Sequence, residues 1–391
     1  MKRDKYKVLY IAPRYHTNQI PIIGGWIERG NKVLFVSQYI GDSEDYSIIN
    51  PLVVGYSRIF EMIARIYSVL FCWKEKSLKK ELNFRTKLGI PPFGRAKKII
   101  GDFQPDVVIV RERFIYNVPF VRVCRKKKIP CILYNQSPLW DYSNRDAGVL
   151  KRILLPYFPK VRITPTLGEM GDNRMVMPDS VFVPFVVKPH CLWEENEHFK
   201  DGYVRLVCVG RYEERKNLTM LLKVINRLKN SYKILLTIVG ECKNEGQQEY
   251  YAKVEVLIRE YQLESMVFLK KNYNINEVYK EYEKADLFVL PSTKERASIS
   301  QLEAMSCSLP IICSDTNGSA CYVKNGVNGY LFKDNDAEDL QKQIEKIISD
   351  KENIVQMGKS SYRLVKTDYS FEKYREKICE IIEGIEDEDG L

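Results

Sequence analysis

Residues 291–332 read PSTKERASISQLEAMSCSLPIICSDTNGSACYVKNGVNGYLF, with Glu295 and Glu303 separated by seven residues just after the largely apolar run Ala285–Leu290. An apolar run closed by Pro291 and Ser292 reads as a buried strand leading into a loop, so the first glutamate falls at a strand's carboxyl end. Glu303 falls within Ser300–Ser306, a short helix-compatible stretch whose donor-rich start can face an anion. Carboxylates accept paired hydrogen bonds from a diol, so each glutamate has a target in the vicinal hydroxyls of a hexose or a ribose. Alone, two glutamates at this spacing read as a solvated loop residue plus a helix residue. The surrounding string decides between the two.

After the glutamates come Ala304 and Met305, a strand Leu309–Ser314 introduced by Pro310, and a turn at Gly318. Asn325, Gly326, Asn328 and Gly329 then lead into Tyr330–Phe332. The whole segment resembles the E-x7-E region of the retaining glycosyltransferases of family 4. That resemblance implies an α/β chain of GT-B architecture, two Rossmann-like doubly wound domains facing across a cleft. It also implies that Glu295 contacts the donor sugar and Glu303 the nucleotide ribose, with Ser298 and Ile299 among the donor-binding residues. There is one departure: the family usually follows the first glutamate with a Gly-Phe-Gly-like or Pro-Phe-Gly-like stretch, and this chain has Arg296, Ala297 and Ser298. A loop without glycine can still present amides, but in a narrower range of shapes.

A second string, VRLVCVGRYEERKN over Val204–Asn217, is a strand ending at Gly210, followed by Arg211 and then Lys216. A helix predicted from about Asn217 to Lys229 places both cations near its amino terminus, where the dipole and free amides also favour anions. Glu213, Glu214 and Arg215 lie between them, so a charged surface turn is the plain alternative. The Gly-Arg and Lys-Asn pair resembles the family's grip on the donor diphosphate. By resemblance Gly210, Arg211 and Lys216 join the donor-binding set, and Glu295, Arg211 and Lys216 are the candidate catalytic residues.

Length and composition fit two domains. The chain has 391 residues and 45% hydrophobic side chains, enough for two cores. Ten cysteines are scattered without a C-x2-C pair among only three histidines, which supports neither zinc nor a disulfide framework and suits a reducing cytoplasm. Met1–Lys7 is charged and the apolar stretch Val8–Ala12 is short, so no export signal is expected. No run approaches the roughly 18–20 apolar residues of a membrane span. Residues 1–200 carry 33 Lys plus Arg against 19 Asp plus Glu, a balance of +14. The remainder carries 28 against 32, or −4, together the +10 of the chain. The basic first half points to an anionic partner such as a membrane surface, a lipid diphosphate or a polyanion. Nucleic acid is not indicated, because the basic residues are dispersed and no binding motif is present.

Alternating strand-like and helix-like runs predict doubly wound domains. The first-half strands are Lys7–Ala12, Lys32–Ser37, Asp106–Val110, Pro130–Tyr134 and Arg162–Pro165. Those of the second half are Val204–Gly210, Leu235–Gly240, Met266–Leu269, Asp286–Leu290, Ile311–Ser314 and Tyr330–Phe332. The expected division is an amino-terminal acceptor-binding domain over 1–190 and a nucleotide-sugar-binding domain over 203–368. The boundary falls near Pro184–Gly202, where prolines and the polar stretch Glu194–Asp201 interrupt both periodicities. A helix over 369–387, apolar at Tyr374, Ile378, Ile381 and Ile382, is implied by resemblance to cross back to the first domain. An acidic tail, Glu386–Gly390, follows.

The donor motifs lie in the second half, so the first should supply the acceptor site. Its candidates are His16, in the polar loop after the first strand, and Asn135, after the strand that ends at Tyr134. Either is equally an ordinary exposed loop residue. Gly24 and Gly25 fall inside a helix running to Arg29 and are not assigned to phosphate. Tyr56–Lys80 mixes Ile59, Phe60, Ile63, Ile66, Tyr67, Leu70, Phe71 and Trp73 with Arg58, Arg65 and four lysines. It suits a membrane interface or an amphipathic helix packed on the first sheet. Arg125–Lys128 suits a helix carboxyl terminus. Asp334-Asn335-Asp336 has the spelling of a metal-binding Asp-x-Asp, but precedes a helix-like run and is read as a cap, so no metal is expected. No G-x-G-x-x-G follows a strand.

The sequence therefore predicts a metal-independent, retaining, hexosyltransferase-type enzyme, cytoplasmic and peripheral on the inner face of a membrane, in bacterial surface polysaccharide synthesis. It needs no cofactor. Its donor is a UDP-sugar, with GDP- and ADP-sugars as alternatives, and its acceptor a glycan or lipid-linked oligosaccharide. The rival readings are a nucleotide-sugar-binding regulator or scaffold without turnover, supported by the altered Arg296–Ser298 loop, and a non-catalytic membrane-binding module.

Overall fold

Runs such as Val107–Arg111 and Leu287–Leu290 are almost wholly apolar and buried along nearly their whole length, the pattern of strands covered on both faces by helices. In the computed structural model, which describes residues 4–41, 45–71, 77–140, 155–168, 179–192 and 199–388, they form two parallel sheets.

The first sheet has seven strands: β1 (Lys7–Ala12), β2 (Lys32–Ser37), β3 (Leu52–Val53), β4 (Val107–Arg111), β5 (Cys131–Tyr134), β6 (Arg162–Thr164) and β7 (Ser180–Phe182), in the order β3-β2-β1-β4-β5-β6-β7. The second has six: β8 (Val204–Val209), β9 (Ile234–Gly240), β10 (Val267–Lys271), β11 (Leu287–Leu290), β12 (Ile311–Ser314) and β13 (Gly329–Phe332), in the order β10-β9-β8-β11-β12-β13. Strand order reverses between β1 and β4 in one sheet and between β8 and β11 in the other. In such sheets ligands bind in the crevice beyond the carboxyl ends at that reversal.

The two sheets share a lock at this point. Asp106, before β4, accepts a hydrogen bond from the Lys7 backbone N–H of β1 at 2.7 Å. Asp286, before β11, accepts from Arg205 of β8 at 2.7 Å. The sequence showed no repeat, yet the same device closes the same seam in both domains.

The terminal helix, Phe371–Glu388, packs on the first domain: Tyr374, Ile378, Cys379 and Ile382 share a core with Val8, Tyr10 and Trp26. The Trp26 indole N–H donates to the Tyr10 hydroxyl at 2.9 Å, and the Tyr10 and Tyr374 hydroxyls lie 3.2 Å apart. Gly25, in the helix Ile20–Glu28, makes this docking possible, because a Cβ there would lie 2.2 Å from the Phe371 ring. Residues 193–198 of the expected boundary, 72–76 of the amphipathic segment and 389–390 of the acidic tail lie outside the described residues.

Candidate active site

β8 ends against the reversal, and the chain turns through Gly210 and Arg211 into the single turn Glu214–Lys216 and the helix Leu218–Leu228. β11 ends on the other side of the seam and delivers Glu295. Arg215 and Lys216 meet Glu295 across the crevice. The Lys216 Nζ donates to Glu295 Oε2 at 2.6 Å, and the Arg215 guanidinium donates to the same oxygen. Lys216 is 6% and Glu295 7% exposed. Burial would push the Glu295 carboxyl up, but Lys216 and Arg215 outweigh it and hold it below the usual carboxylate range. Arg211 sits further out, 3.4 Å from Glu241 and 3.7 Å from Glu213.

The Glu295 loop owes its shape to contacts rather than to glycines of its own. The Gly318 N–H donates to the Glu295 carbonyl at 2.7 Å, and a Cβ at Gly318 would lie 1.8 Å from the Arg296 carbonyl oxygen. The Ser298 N–H donates to Ser319 Oγ at 2.7 Å, and the Ser319 hydroxyl donates back to the Ser298 carbonyl. The helix Ile299–Ser306 starts there and carries Glu303 on its second turn. The Tyr282 hydroxyl donates to Glu303 at 3.2 Å, and burial nevertheless pushes the Glu303 carboxyl up to about 7.

Gly210, Arg211, Arg215, Lys216, Glu295, Ser298, Ile299 and Glu303 line one cavity of about 550 Å3. All seven residues that the sequence assigned to the donor are therefore brought together. Arg215, read from the sequence as part of a charged turn, lines the cavity with them, while Tyr282 is fully buried behind it and touches only Glu303 of the set. The cavity combines Arg211, Arg215 and Lys216 with the amino-terminal turn of the helix Ile299–Ser306 and the Glu303 carboxyl, a chemistry suited to a diphosphate joined to a polyol.

The acceptor candidates fare differently. His16 lies where the charges of Arg111, Arg14 and Arg211 converge. Burial first, and then those charges, lower its imidazole to about 3, so it is neutral and a weak base. Asn135 turns inward: its Oδ1 accepts from Arg162 at 3.2 Å and from the Ser137 N–H at 3.3 Å, and it does not line the cavity that holds Glu295 and Glu303. Asp336 caps the helix Ala337–Ile348, accepting from the backbone N–H groups of Glu338 and Asp339 at 3.0 Å each.

Residues 192–364, which hold the whole cavity, match the family described as Glycosyl transferases group 1. A glycosyltransferase from Rickettsia africae ESF-5 superposes with a TM-score of 0.71 at 14% identity, covering 98% of this chain and 99% of that one. The fold is GT-B. An uncharacterized glycosyltransferase of Haemophilus influenzae is 29% identical over 194 residues, 49% of this chain and 52% of the relative. A UDP-Gal:alpha-D-GlcNAc-diphosphoundecaprenol alpha-1,3-galactosyltransferase of Escherichia coli is 29% identical over 155 residues, 33% of this chain and 40% of the relative. The chain thus spans about half or less of the length of these two relatives. The GT-B domain that carries the matched segment is the one that carries the cavity.

Proposed function

We propose that the chain is a retaining, metal-independent glycosyltransferase of family 4. It moves a sugar from a nucleotide-diphosphate donor, a UDP-sugar, to a hydroxyl of a glycan or lipid-linked acceptor. The observation that carries this reading is the convergence of Arg211, Arg215, Lys216, Glu295 and Glu303 on one cavity at the β8/β11 reversal.

As the bond from sugar to phosphate breaks, positive charge grows on the ring and negative charge on the departing diphosphate. Lys216 and Arg211, with the amides that open the helix Ile299–Ser306, stand where that negative charge develops. Glu295 has two tasks. Its Oε2 fixes Lys216 and Arg215, which leaves Oε1 for a donor-sugar hydroxyl. Glu303, at the far end, takes the ribose diol. With its imidazole lowered to about 3, His16 is not assigned the acceptor's proton. A phosphate oxygen of the donor is the alternative proton acceptor, on the same face as the departing group, and that geometry retains the anomeric configuration. Closure of the cleft would exclude water and limit donor hydrolysis.

A peripheral location on a membrane is supported by the helix Arg58–Phe71, whose outer face is apolar and carries Arg58 and Arg65. Ile59 is 71% and Val69 72% exposed. Such a face suits the interface of an anionic membrane. Among the described residues no helix is long and apolar enough to cross a membrane.

A thermal-shift screen against UDP-, GDP- and ADP-sugars tests the reading. A donor that raises the melting temperature of the wild type but not of Glu303→Ala or Lys216→Ala is the expected result. No shift with any donor at millimolar concentration would overturn it. Anomeric proton signals of the product then report retention. Turnover separates the enzyme from a binding-only regulator.

A further inference from the structure

The first sheet reverses between β1 and β4, and the loops beyond that seam hold a set of cations that the donor does not need. The loop after β1 carries Arg14, His16 and Asn18. β4 ends in Arg111, followed by Glu112 and Arg113. Glu112 adopts a left-handed backbone at φ 60°, uncommon outside glycine. The corner is nevertheless firmly held. The Glu112 N–H donates to the Tyr134 carbonyl at 2.8 Å, while the buried Asn117 side-chain amide donates to the Arg111 and Glu112 carbonyls at 3.1 and 2.8 Å. Strain maintained in this way is a mark of functional corners.

Arg111 Nη1 is buried with no hydrogen-bond partner among the described residues, and so is Asn18 Oδ1. Both residues line one small cavity between β1 and β4, and the Arg111 guanidinium lies 5.9 Å from the centre of the Tyr134 ring. Arg296 enters from the opposite domain. Burial pushes the Glu112 carboxyl up, and the charges of Arg111, Arg296, Arg113 and Arg162 all act on it, so four guanidinium groups gather around one carboxyl. Arg296 is also where the chain departs from the glycine or proline expected after the first glutamate. The donor diphosphate already has Arg211, Arg215 and Lys216.

Resting on the transferase reading above, we propose that Arg111, with Arg14 and Arg113 on the first domain and Arg296 across the cleft, binds a phosphate or diphosphate group of the acceptor. That group would lie beside the sugar whose hydroxyl is glycosylated. The planar forks of several arginines match the oxygens of a multiply charged phosphate, and their number exceeds what a single carboxylate would require.

The full-length protein is first saturated with whichever of UDP, GDP and ADP stabilises it. Calorimetry then compares N-acetylglucosamine 1-phosphate with N-acetylglucosamine. The phosphorylated sugar should bind at least tenfold more tightly. Arg111→Gln and the exposed Arg296→Gln should each remove that preference while leaving the nucleotide Kd within twofold. Equal affinity for the two sugars, or a preference that survives in both variants, would overturn the proposal. So would a nucleotide Kd weakened as much as the sugar phosphate, which would assign the cluster to the donor. If no nucleotide binds the wild type, the transferase reading fails and takes this one with it. A polyprenyl diphosphate in detergent micelles that competes more strongly than the soluble sugar phosphate assigns a lipid-linked acceptor; the reverse order assigns a soluble one. Either order supports the anion site.

Discussion

If Glu303 takes the ribose, as proposed, nucleotide binding should depend on pH. Its carboxyl is pushed up to about 7 by burial, above the ordinary 4.5, so folding favours the protonated form. Its contribution to stability is therefore fully present at low pH and is lost as pH rises through about 7. Binding runs the other way, since a diol is best held by the ionised carboxylate. The affinity for nucleoside diphosphate should rise up to about tenfold between about pH 6 and pH 8. Glu303→Gln should flatten that slope, and because the ligand's own phosphates titrate in both proteins, the difference between them isolates the residue. Calorimetric titrations across this range check it; the same slope in the variant would remove Glu303 from the ribose site. At this scale the sequence was informative where a motif had fixed spacing. Glu295, Glu303, Arg211 and Lys216 are all legible that way. Arg215 was not, because whether it or its neighbours point inward depends on the one tight turn Glu214–Lys216. Tyr282 was not either, because it reaches Glu303 from a separate helix, 21 residues earlier.

At the scale of elements, the buried parallel strands were the most legible part. A run such as Ile311–Ser314 is apolar up to its last residue and buried throughout, and its observed limits equal those of the expected strand Ile311–Ser314. β3 and β7 were missed because two or three residues carry no periodicity, and β3 is exposed as well. The amphipathic segment after Tyr56 was legible as a helix, but its partner was not, because the same stripe serves a core or an interface. The structure gives Phe60 and Ala64 to the core and leaves Ile59, Met62, Ile66, Val69 and Leu70 on the outside. If this face meets a membrane, the protein should float with anionic vesicles at low salt and be released by high salt, since the flanking charges are screened. A Val69→Glu, Leu70→Glu protein should lose vesicle binding while keeping its nucleotide affinity. A wild type that never floats with such vesicles would end the membrane reading and leave the stripe to another partner.

The whole molecule is joined at two crossings, and one residue touches both. In the first crossing, Val183 and Val186 enter the core of the first domain while Phe185 and Val187 enter that of the second. In the second, Tyr369 belongs to the second domain's core and Phe371 to the first's. Tyr322 binds them together. Its hydroxyl donates to the Pro165 carbonyl at 2.6 Å and accepts from the Phe185 N–H at 2.9 Å, and its ring meets Tyr369 edge-on at 4.8 Å. None of this was readable from the sequence, since a tyrosine in a loop has no periodicity and its partners lie 137 and 157 residues away. Tyr322→Phe keeps the ring but leaves a buried carbonyl and a buried N–H without their partner. That should cost about 2–4 kcal/mol, visible in denaturant titration. Because the same bonds set how one domain sits on the other, the variant should also change kcat and KM together, as a hinge does, although Tyr322 does not line the cavity at the β8/β11 reversal. A stability loss with unaltered kinetics would make Tyr322 a core residue and nothing more. A change in both would mean that the cleft's geometry, and with it the distance between the first-domain arginines and the donor cavity, is set at this one hydroxyl.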